Sequence, residues 1–363
     1  MKVAICGGGT GGHLHPLLAL AGDLKSREGI EVILYLSSKT PAGRPPLQAR
    51  EVTLEVSGFS RGLDAGNLRA AKQLLRAFTV CRGDMKENRP DAAVAFGGYA
   101  SVPGAAAARS LGIPLILHEQ NVIPGMANRL LAPVAGKIAV SFQDTLEICP
   151  GWRKKAVVTG NPLWRSLDAG KQEDPWRHFG LERERKTLAV IGGSQGAASL
   201  NRAVAQALPL WRERADLQIV HSVGRGKLEE YLHEVAEDYP GGVFYRPLGF
   251  VERMDLLYQA ADLVVCRAGA STISELAAAG CAAILVPYPY ATASHQDANA
   301  AVLERAGVAV VIDDEEMDGE RLRREVDELL DDNDRLQGMR ESSRRIGRPE
   351  AAAVLSRLVI SCT

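Results

Sequence analysis

Twice in this chain a short apolar run breaks straight into a cluster of glycines, and both times a helical pattern follows. Lys2–Cys6 leads into Gly7-Gly8-Gly9-Thr10-Gly11-Gly12-His13, and Leu188–Ile191 leads into Gly192-Gly193-Ser194-Gln195-Gly196, 184 positions after Gly8. Glycine supplies the positive φ and the close backbone approach that a strand-to-helix turn needs where a ligand is to be met. A second echo pairs Phe96-Gly97-Gly98-Tyr99 with Cys266-Arg267-Ala268-Gly269, each behind a strand pattern and ahead of an Ala-rich helix. Two turns repeated in the same order imply two Rossmann-like domains in tandem. A chain of 363 residues has room for two domains of ordinary size.

Further β-branched runs fit this scheme: Glu31–Leu36, Ala92–Phe96, Pro114–His118, Gln218–His221, Asp262–Cys266, Ala283–Val286 and Val308–Ile312. Most are apolar nearly throughout, as strands covered on both faces are, and they alternate with helical patterns, as parallel βαβ units do. Gly160 to Lys186, with Pro162, Gly170, Pro175 and many charges, reads as the linker. Charged helices are expected at Gly319–Asp331, Asp334–Ile346 and Pro349–Val359.

A formal net charge of −1 excludes a chain that is strongly basic overall, and with it a general nucleic-acid binder. The charge is unevenly placed. Met1 to Gly160 holds 19 basic against 12 acidic residues, and the remainder 24 against 32. A basic half facing an anionic membrane or a phosphorylated substrate is one consequence. The six cysteines form no C-x-x-C pair and several lie in apolar runs, so reduced, structural thiols and a cytosolic setting are expected. No signal peptide is expected, because Met1-Lys2 runs directly into a strand. The longest charge-free stretch, Leu276 to Gln296, contains Gly280, Pro287 and Pro289, which argues against a membrane span.

The glycine loops are candidate phosphate cradles, each ahead of a helix N-terminus with unpaired N–H groups. Gly7, Gly9 and Gly12 also satisfy G-x-G-x-x-G. A dinucleotide site, however, usually has an acidic residue closing the second strand, and here Ser37-Ser38-Lys39 stands there; an NADP site using Ser38 and Lys39 stays open. His13 at the loop mouth has the chemistry of a general base. His13 and His15 do not share a helix face, and no carboxylate nearby completes a metal set. In Arg267-Ala268-Gly269-Ala270-Ser271-Thr272-Ile273-Ser274-Glu275, hydroxyls at a helix start and a carboxylate one turn in suit a nucleotide's phosphates and ribose. The same residues also fit a capping box, in which Glu275 reaches back to the helix start. Asp332-Asn333-Asp334 reads as a helix cap between charged helices. Arg61 to Arg89 carries seven basic against three acidic residues, with Leu68, Ala71, Leu75 and Phe78 at helical spacing. That pattern fits either a membrane-surface helix or an ordinary amphipathic one.

Taken in order, Gly8-Gly9-Thr10-Gly11-Gly12-His13, Phe96-Gly97-Gly98-Tyr99, His118-Glu119-Gln120-Asn121, Gly160-Asn161-Pro162, Gly192-Gly193-Ser194-Gln195-Gly196, Cys266-Arg267-Ala268-Gly269 and His295-Gln296 resemble the MurG family of peptidoglycan N-acetylglucosaminyltransferases, over nearly the whole chain. The resemblance implies an α/β GT-B fold: two Rossmann-like domains facing a cleft, with the C-terminal helix crossing back to the first. Residues 1–160 would form the acceptor and membrane side, 161–345 the donor domain, and 346–363 the returning helix. The family transfers N-acetylglucosamine from UDP-N-acetylglucosamine to undecaprenyl-pyrophosphoryl-N-acetylmuramoyl-pentapeptide (lipid I), forming lipid II with inversion and with neither a cofactor nor an obligatory metal. Carried over motif by motif, Ser194 would contact phosphate and Val251 would meet uracil through its backbone. Ala270, Ser271, Thr272, Ile273, Ser274 and Glu275 would hold phosphate and ribose, with Glu275 on the ribose. Gln296 and Asn299 would bind the sugar, and Thr10, Gly11, Gly12 and Asn121 would close over it. His13 is the first choice of base and Glu119 the second.

The resemblance also implies a peripheral enzyme on the cytoplasmic face of the cell membrane. Arg69, Lys72, Leu75, Arg76, Phe78 and Arg82 would meet anionic lipid there, with cell-wall synthesis and division proteins as partners. The chain departs from the family pattern at Trp164, where an arginine is usual, at Ser294, where an acid is usual, and over Thr40 to Pro46. The rival functions are an NADP-linked oxidoreductase, a hydrolysing UDP-N-acetylglucosamine epimerase and a non-catalytic UDP-sugar-binding membrane scaffold.

Overall fold

The glycine-marked strands are the first strands of two parallel sheets. The computed structural model describes residues 1–9, 11–40, 47–58, 65–164, 173–235 and 242–363. The chain divides into two compact units, Met1–Trp164 with Arg348–Thr363, and Arg165–Gly347.

In the first unit, β1 (Lys2–Gly7), β2 (Glu31–Ser37), β3 (Arg50–Leu54), β4 (Ala92–Ala95), β5 (Leu115–Glu119), β6 (Lys137–Val140) and β7 (Ala156–Val158) pair in the order β3-β2-β1-β4-β5-β6-β7. In the second, β8 (Lys186–Ile191), β9 (Leu217–Ser222), β10 (Phe244–Leu248), β11 (Leu263–Cys266), β12 (Ala282–Leu285) and β13 (Ala309–Val311) pair in the order β10-β9-β8-β11-β12-β13. All the pairings are parallel. The six strands of the second sheet follow the same path as the first six of the other. Strand order reverses beside β1 and beside β8, so each glycine cluster lies at the carboxyl end of its sheet at a topological switch point. That is where open α/β sheets bind ligands.

Both faces of the first sheet are buried, which explains its nearly unbroken apolar runs. Val3 and Ile5 pack with Leu14, Leu17, Leu20 and Leu24 of the helix Gly11–Lys25. Ala4 and Cys6 face the other way, toward Ala77, Cys81 and Met85 of the helix Ala65–Asn88. That helix buries Ala70, Ala77, Cys81 and Met85 at helical spacing and half-buries Leu74 and Phe78 against the same core. Leu68 and Leu75, read from the sequence as part of one apolar side with Phe78, are 77% and 69% exposed.

The C-terminal helix Ala351–Ile360 belongs to the first unit. Its Leu355 and Val359 lie in the core beside Leu17 and Leu20, each burial contributing about 1.5–3 kcal/mol. The helix arrives beside Gly160, whose φ is +82° and where a Cβ would stand 2.8 Å from that of Arg348.

Four strands escaped the sequence reading. β3 and β10 are the edge strands beside β2 and β9, and β10 carries Arg246 and Pro247, which a sheet tolerates at its edge. β7 closes the opposite edge with three half-buried residues, and β6 is four residues long with an exposed Lys137. All six cysteines are free thiols. No helix among the described residues is long and apolar enough to cross a membrane.

Candidate active site

In the first unit the glycine loop is sterically required. Gly8 and Gly9 both have φ of +97°, and a Cβ on Gly8 would lie 2.7 Å from Thr40 Oγ1. Gly11 and Gly12 open the helix, with Gly12 exposed; Thr10 lies outside the described residues. Two residues in, the half-buried ring of His13 rests against the Gly97-Gly98 turn that follows β4. A Cβ on Gly98, with φ of +68°, would come within 3.5 Å of His13 Nε2. His13 Nδ1 lies 3.0 Å from Gln120 Oε1. The fold thus brings the turns after β1, β4 and β5 to one place.

Glu119 sits at the end of β5 and is 1% exposed. Its Oε1 accepts the Asn121 N–H at 3.0 Å, and its Oε2 accepts the Gly125 N–H at 3.0 Å and Asn128 Nδ2 at 2.8 Å. Both oxygens therefore organise the loop that presents Asn121, while His13 keeps an open ring edge. A cavity of about 480 Å³ opens beside the ends of β2 and β3, its lining including Ser38, Lys39, Glu55, Val56, Arg69 and Gln73.

In the second unit the loop after β8 is equally constrained. A Cβ on Gly196 would collide with the Val223 carbonyl, and one on Gly192 with the Ala197 amide. Ser194 stands exposed at the loop tip. Its carbonyl accepts the Arg225 N–H at 3.0 Å, and the Arg225 guanidinium lies 3.8 Å from the centre of the Phe250 ring. The Val251 side chain is buried, so only its backbone is available to a ligand.

The helix Ala270–Ala279 follows β11. Its N-cap is Gly269, so Ser271 and Thr272 lie inside the first turn rather than at the cap position that a capping box would give them. Ser271 Oγ is buried without a hydrogen-bond partner among the described residues, as a group reserved for a ligand would be. Ser274 Oγ instead donates to the Ala270 carbonyl at 2.8 Å. Thr272 is half-buried, and the Ile273 side chain is fully buried. Glu275 accepts the Tyr258 hydroxyl at 2.8 Å. Burial pushes its carboxyl up to about 7, against the pull of that bond.

Gln296 Oε1 accepts the Tyr288 N–H at 3.0 Å. Asn299 is fully buried and donates to the Ala268 carbonyl at 3.1 Å, so its side chain supports the turn into the Ala270 helix.

Three residues that organise these sites were not singled out from the sequence. Gln120 bonds His13; Tyr258 bonds Glu275; and Arg267 gathers the Val286 and Pro287 carbonyls, Ser199 Oγ and Asp314 around the loop before Gln296. In the sequence Arg267 stands out only as part of the Cys266-Arg267-Ala268-Gly269 motif, with no role of its own.

The basic helix presents Arg69, Lys72, Leu75, Arg76 and Arg82 to solvent, with Leu68 and Val80. Phe78, expected among them, leans on the core instead, because it shares the inner side with Leu74 and Cys81. Arg61 lies outside the described residues. Asp332 caps the helix Asn333–Ile346 by accepting the Arg335 N–H at 2.9 Å. Among the described residues no group of three or more His, Cys, Asp or Glu side chains could hold a metal ion.

Residues 3–140 match the glycosyltransferase family 28 N-terminal domain, and residues 187–355 the glycosyltransferase family 28 C-terminal domain. The UDP-N-acetylglucosamine--N-acetylmuramyl-(pentapeptide) pyrophosphoryl-undecaprenol N-acetylglucosamine transferase of Halothermothrix orenii is 37% identical, covering 99% of this chain and 98% of its own. The protein of the same name from Desulforamulus reducens is 34% identical, with the same coverage. Among solved structures, the crystal structure of Acinetobacter baumannii MurG is 31% identical, with a TM-score of 0.77 over 99% of each chain.

Proposed function

The chain belongs to glycosyltransferase family 28, and on that premise we propose that it transfers N-acetylglucosamine from UDP-N-acetylglucosamine to lipid I, forming lipid II for peptidoglycan synthesis. What carries this reading is the near full-length identity to transferases of that name, joined to two switch-point sites of the chemistry the reaction needs. The second unit supplies a donor site. Its glycine loop and the start of the Ala270 helix receive the diphosphate, Val251 the base, Glu275 the ribose and Gln296 the sugar. The first unit supplies the base and the acceptor side.

The muramoyl hydroxyl attacks the anomeric carbon from the face opposite UDP. A carbon–oxygen bond forms there as the bond to the β-phosphate oxygen breaks, so the configuration inverts. The hydroxyl proton passes to His13 Nε2, and UDP leaves with the electron pair. Backbone N–H groups and the helix dipole then face the developing diphosphate charge.

The test is UDP release from UDP-N-acetylglucosamine with and without a lipid I analogue. Release only with the acceptor is expected. Acceptor-independent release would favour the epimerase; binding without release would favour the scaffold; and a fluorescence change on adding NADPH would favour the oxidoreductase.

Because fixed N–H dipoles face the leaving group, and the described side chains offer no metal-ligand cluster, full turnover is expected in EDTA. Activity lost to the chelator and restored by magnesium or manganese would overturn this.

The acceptor's lipid chain holds it in a bilayer, so the enzyme works at the cytoplasmic face as a peripheral protein. The exposed basic stripe with Leu68, Leu75 and Val80 suits that contact. Each basic residue near anionic lipid contributes about 1 kcal/mol, which salt screens. Vesicle binding should therefore require anionic lipid and weaken with salt. Serine at Arg69, Lys72, Arg76 and Arg82 should weaken it further, while turnover of a short-chain acceptor stays near normal. Undiminished vesicle binding by that variant would place the membrane face elsewhere.

A further inference from the structure

The buried strand-end sequence His118-Glu119-Gln120 does more than pack. His118 Nε2 lies 3.1 Å from the Gly160 carbonyl, Gln120 Nε2 lies 3.0 Å from the Phe96 carbonyl and 3.1 Å from His118 Nδ1, and Gln120 Oε1 lies 3.0 Å from His13 Nδ1. A carbonyl oxygen only accepts, and this fixes the direction of every bond in the series. The Gly160 carbonyl requires the proton of His118 on Nε2, which leaves Nδ1 as an acceptor. Burial holds His118 down to about 4, so at neutral pH it carries one ring proton and has no second one to offer. The Gln120 amide must then turn its NH2 toward Phe96 and His118. The flipped amide would set Oε1 against the Phe96 carbonyl and also, at 3.4 Å, the His118 carbonyl. Oriented so, Gln120 can only accept from His13.

The geometry points to Gln120 as the positioning residue that fixes neutral His13 as its Nδ1–H tautomer, leaving the Nε2 lone pair to take the acceptor hydroxyl's proton. Two backbone carbonyls, from the turns after β4 and β7, thus set the tautomer of a side chain on the helix after β1. Gln120 is 1% exposed and touches neither substrate in this role; it acts through His13. The Gly97-Gly98 turn completes the arrangement, because a side chain on Gly98 would crowd the Nε2 edge that the tautomer leaves open.

The inference rests on His13 as the base, and its test separates the two. With histidine ring nitrogens labelled with 15N, the His13 signals are identified by their loss in His13→Gln, and the tautomer is read from which nitrogen carries the proton. The unaltered protein should show neutral His13 as Nδ1–H alone; a mixture, or the Nε2–H form, overturns the proposal without requiring any Gln120 variant to fold. Gln120→Met, of similar size and unable to hydrogen-bond here, should show both tautomers. Its kcat should fall about tenfold, the equivalent of one ordinary hydrogen bond, at an unchanged donor KM. An Nδ1–H ring persisting in Gln120→Met removes Gln120 from the role. Retained kcat in His13→Gln, with the unaltered protein still Nδ1–H, defeats the base assignment and leaves the tautomer assignment standing.

Discussion

Replacing His13 by alanine is expected to lower kcat by about 10²–10⁴, with UDP affinity nearly unchanged. The attacking group is an alcohol, and a positioned base that accepts its proton in the transition state contributes on that order. The ring is held rather than free. Its Nδ1 is bonded to Gln120 and its face lies along Gly97 and Gly98, so the open Nε2 edge is presented in one orientation. Glu119 is the alternative base, and its surroundings make the comparison sharp. Each of its oxygens already accepts N–H groups of the Asn121–Asn128 segment, at 1% exposure. Glu119→Gln should therefore loosen that loop and affect substrate affinity along with rate, whereas His13→Ala affects rate alone. A His13→Ala enzyme with retained kcat would move the proton to Glu119 or to water.

The sequence made the two sheets legible through glycine. A left-handed residue behind a buried strand has few substitutes, so Gly8, Gly97, Gly193 and Gly196 mark strand ends that periodicity alone would leave vague. Most central strands could be read because both faces are covered. β3 could not, because it reads Arg-Glu-Val-Thr-Leu and is mostly exposed, and β6 and β7 could not because they are only four and three residues long. The long basic helix shows where pattern reading fails. Leu68 and Leu75 share helical spacing with Phe78 yet are exposed, while the buried positions near them are the smaller Ala70, Ala77 and Cys81, which let the helix lie close to the sheet. Small buried residues carry little hydrophobic signal, and large exposed ones carry a misleading one.

The site divides along the same line. His13, the glycine loops and the Ala270 helix start were legible because their chemistry depends on residue type at a strand end. Gln120, Tyr258 and Arg267 were not, because each is defined by partners distant in sequence, several of them backbone carbonyls, and a carbonyl has no letter in the sequence. Asn299 was legible in part. Its residue type beside Gln296 suggested a ligand group, while the bond from its Nδ2 to the Ala268 carbonyl had no sequence signal.

Glu275→Ala should raise the donor KM by one to two orders of magnitude, since each hydrogen bond from a ribose hydroxyl to a carboxylate is worth about 1.5–3 kcal/mol. The structure adds a pH dependence to this expectation. Burial raises the Glu275 carboxyl to about 7, and the Tyr258 hydroxyl at 2.8 Å favours the ionised form. A carboxylate accepts two ribose hydroxyls, whereas the neutral acid spends one oxygen on its own proton. Donor binding must therefore expel a proton below pH 7. The donor KM should rise as pH falls through that value, approaching tenfold per unit, and level off above it. Glu275→Gln should hold a high donor KM with no such slope. Tyr258→Phe removes the bond that favours ionisation, so its KM transition should move to higher pH while kcat at saturating donor stays near normal. A donor KM that ignores pH between 6 and 8 in the unaltered enzyme, or that survives Glu275→Ala, would return this carboxylate to a purely structural partnership with Tyr258.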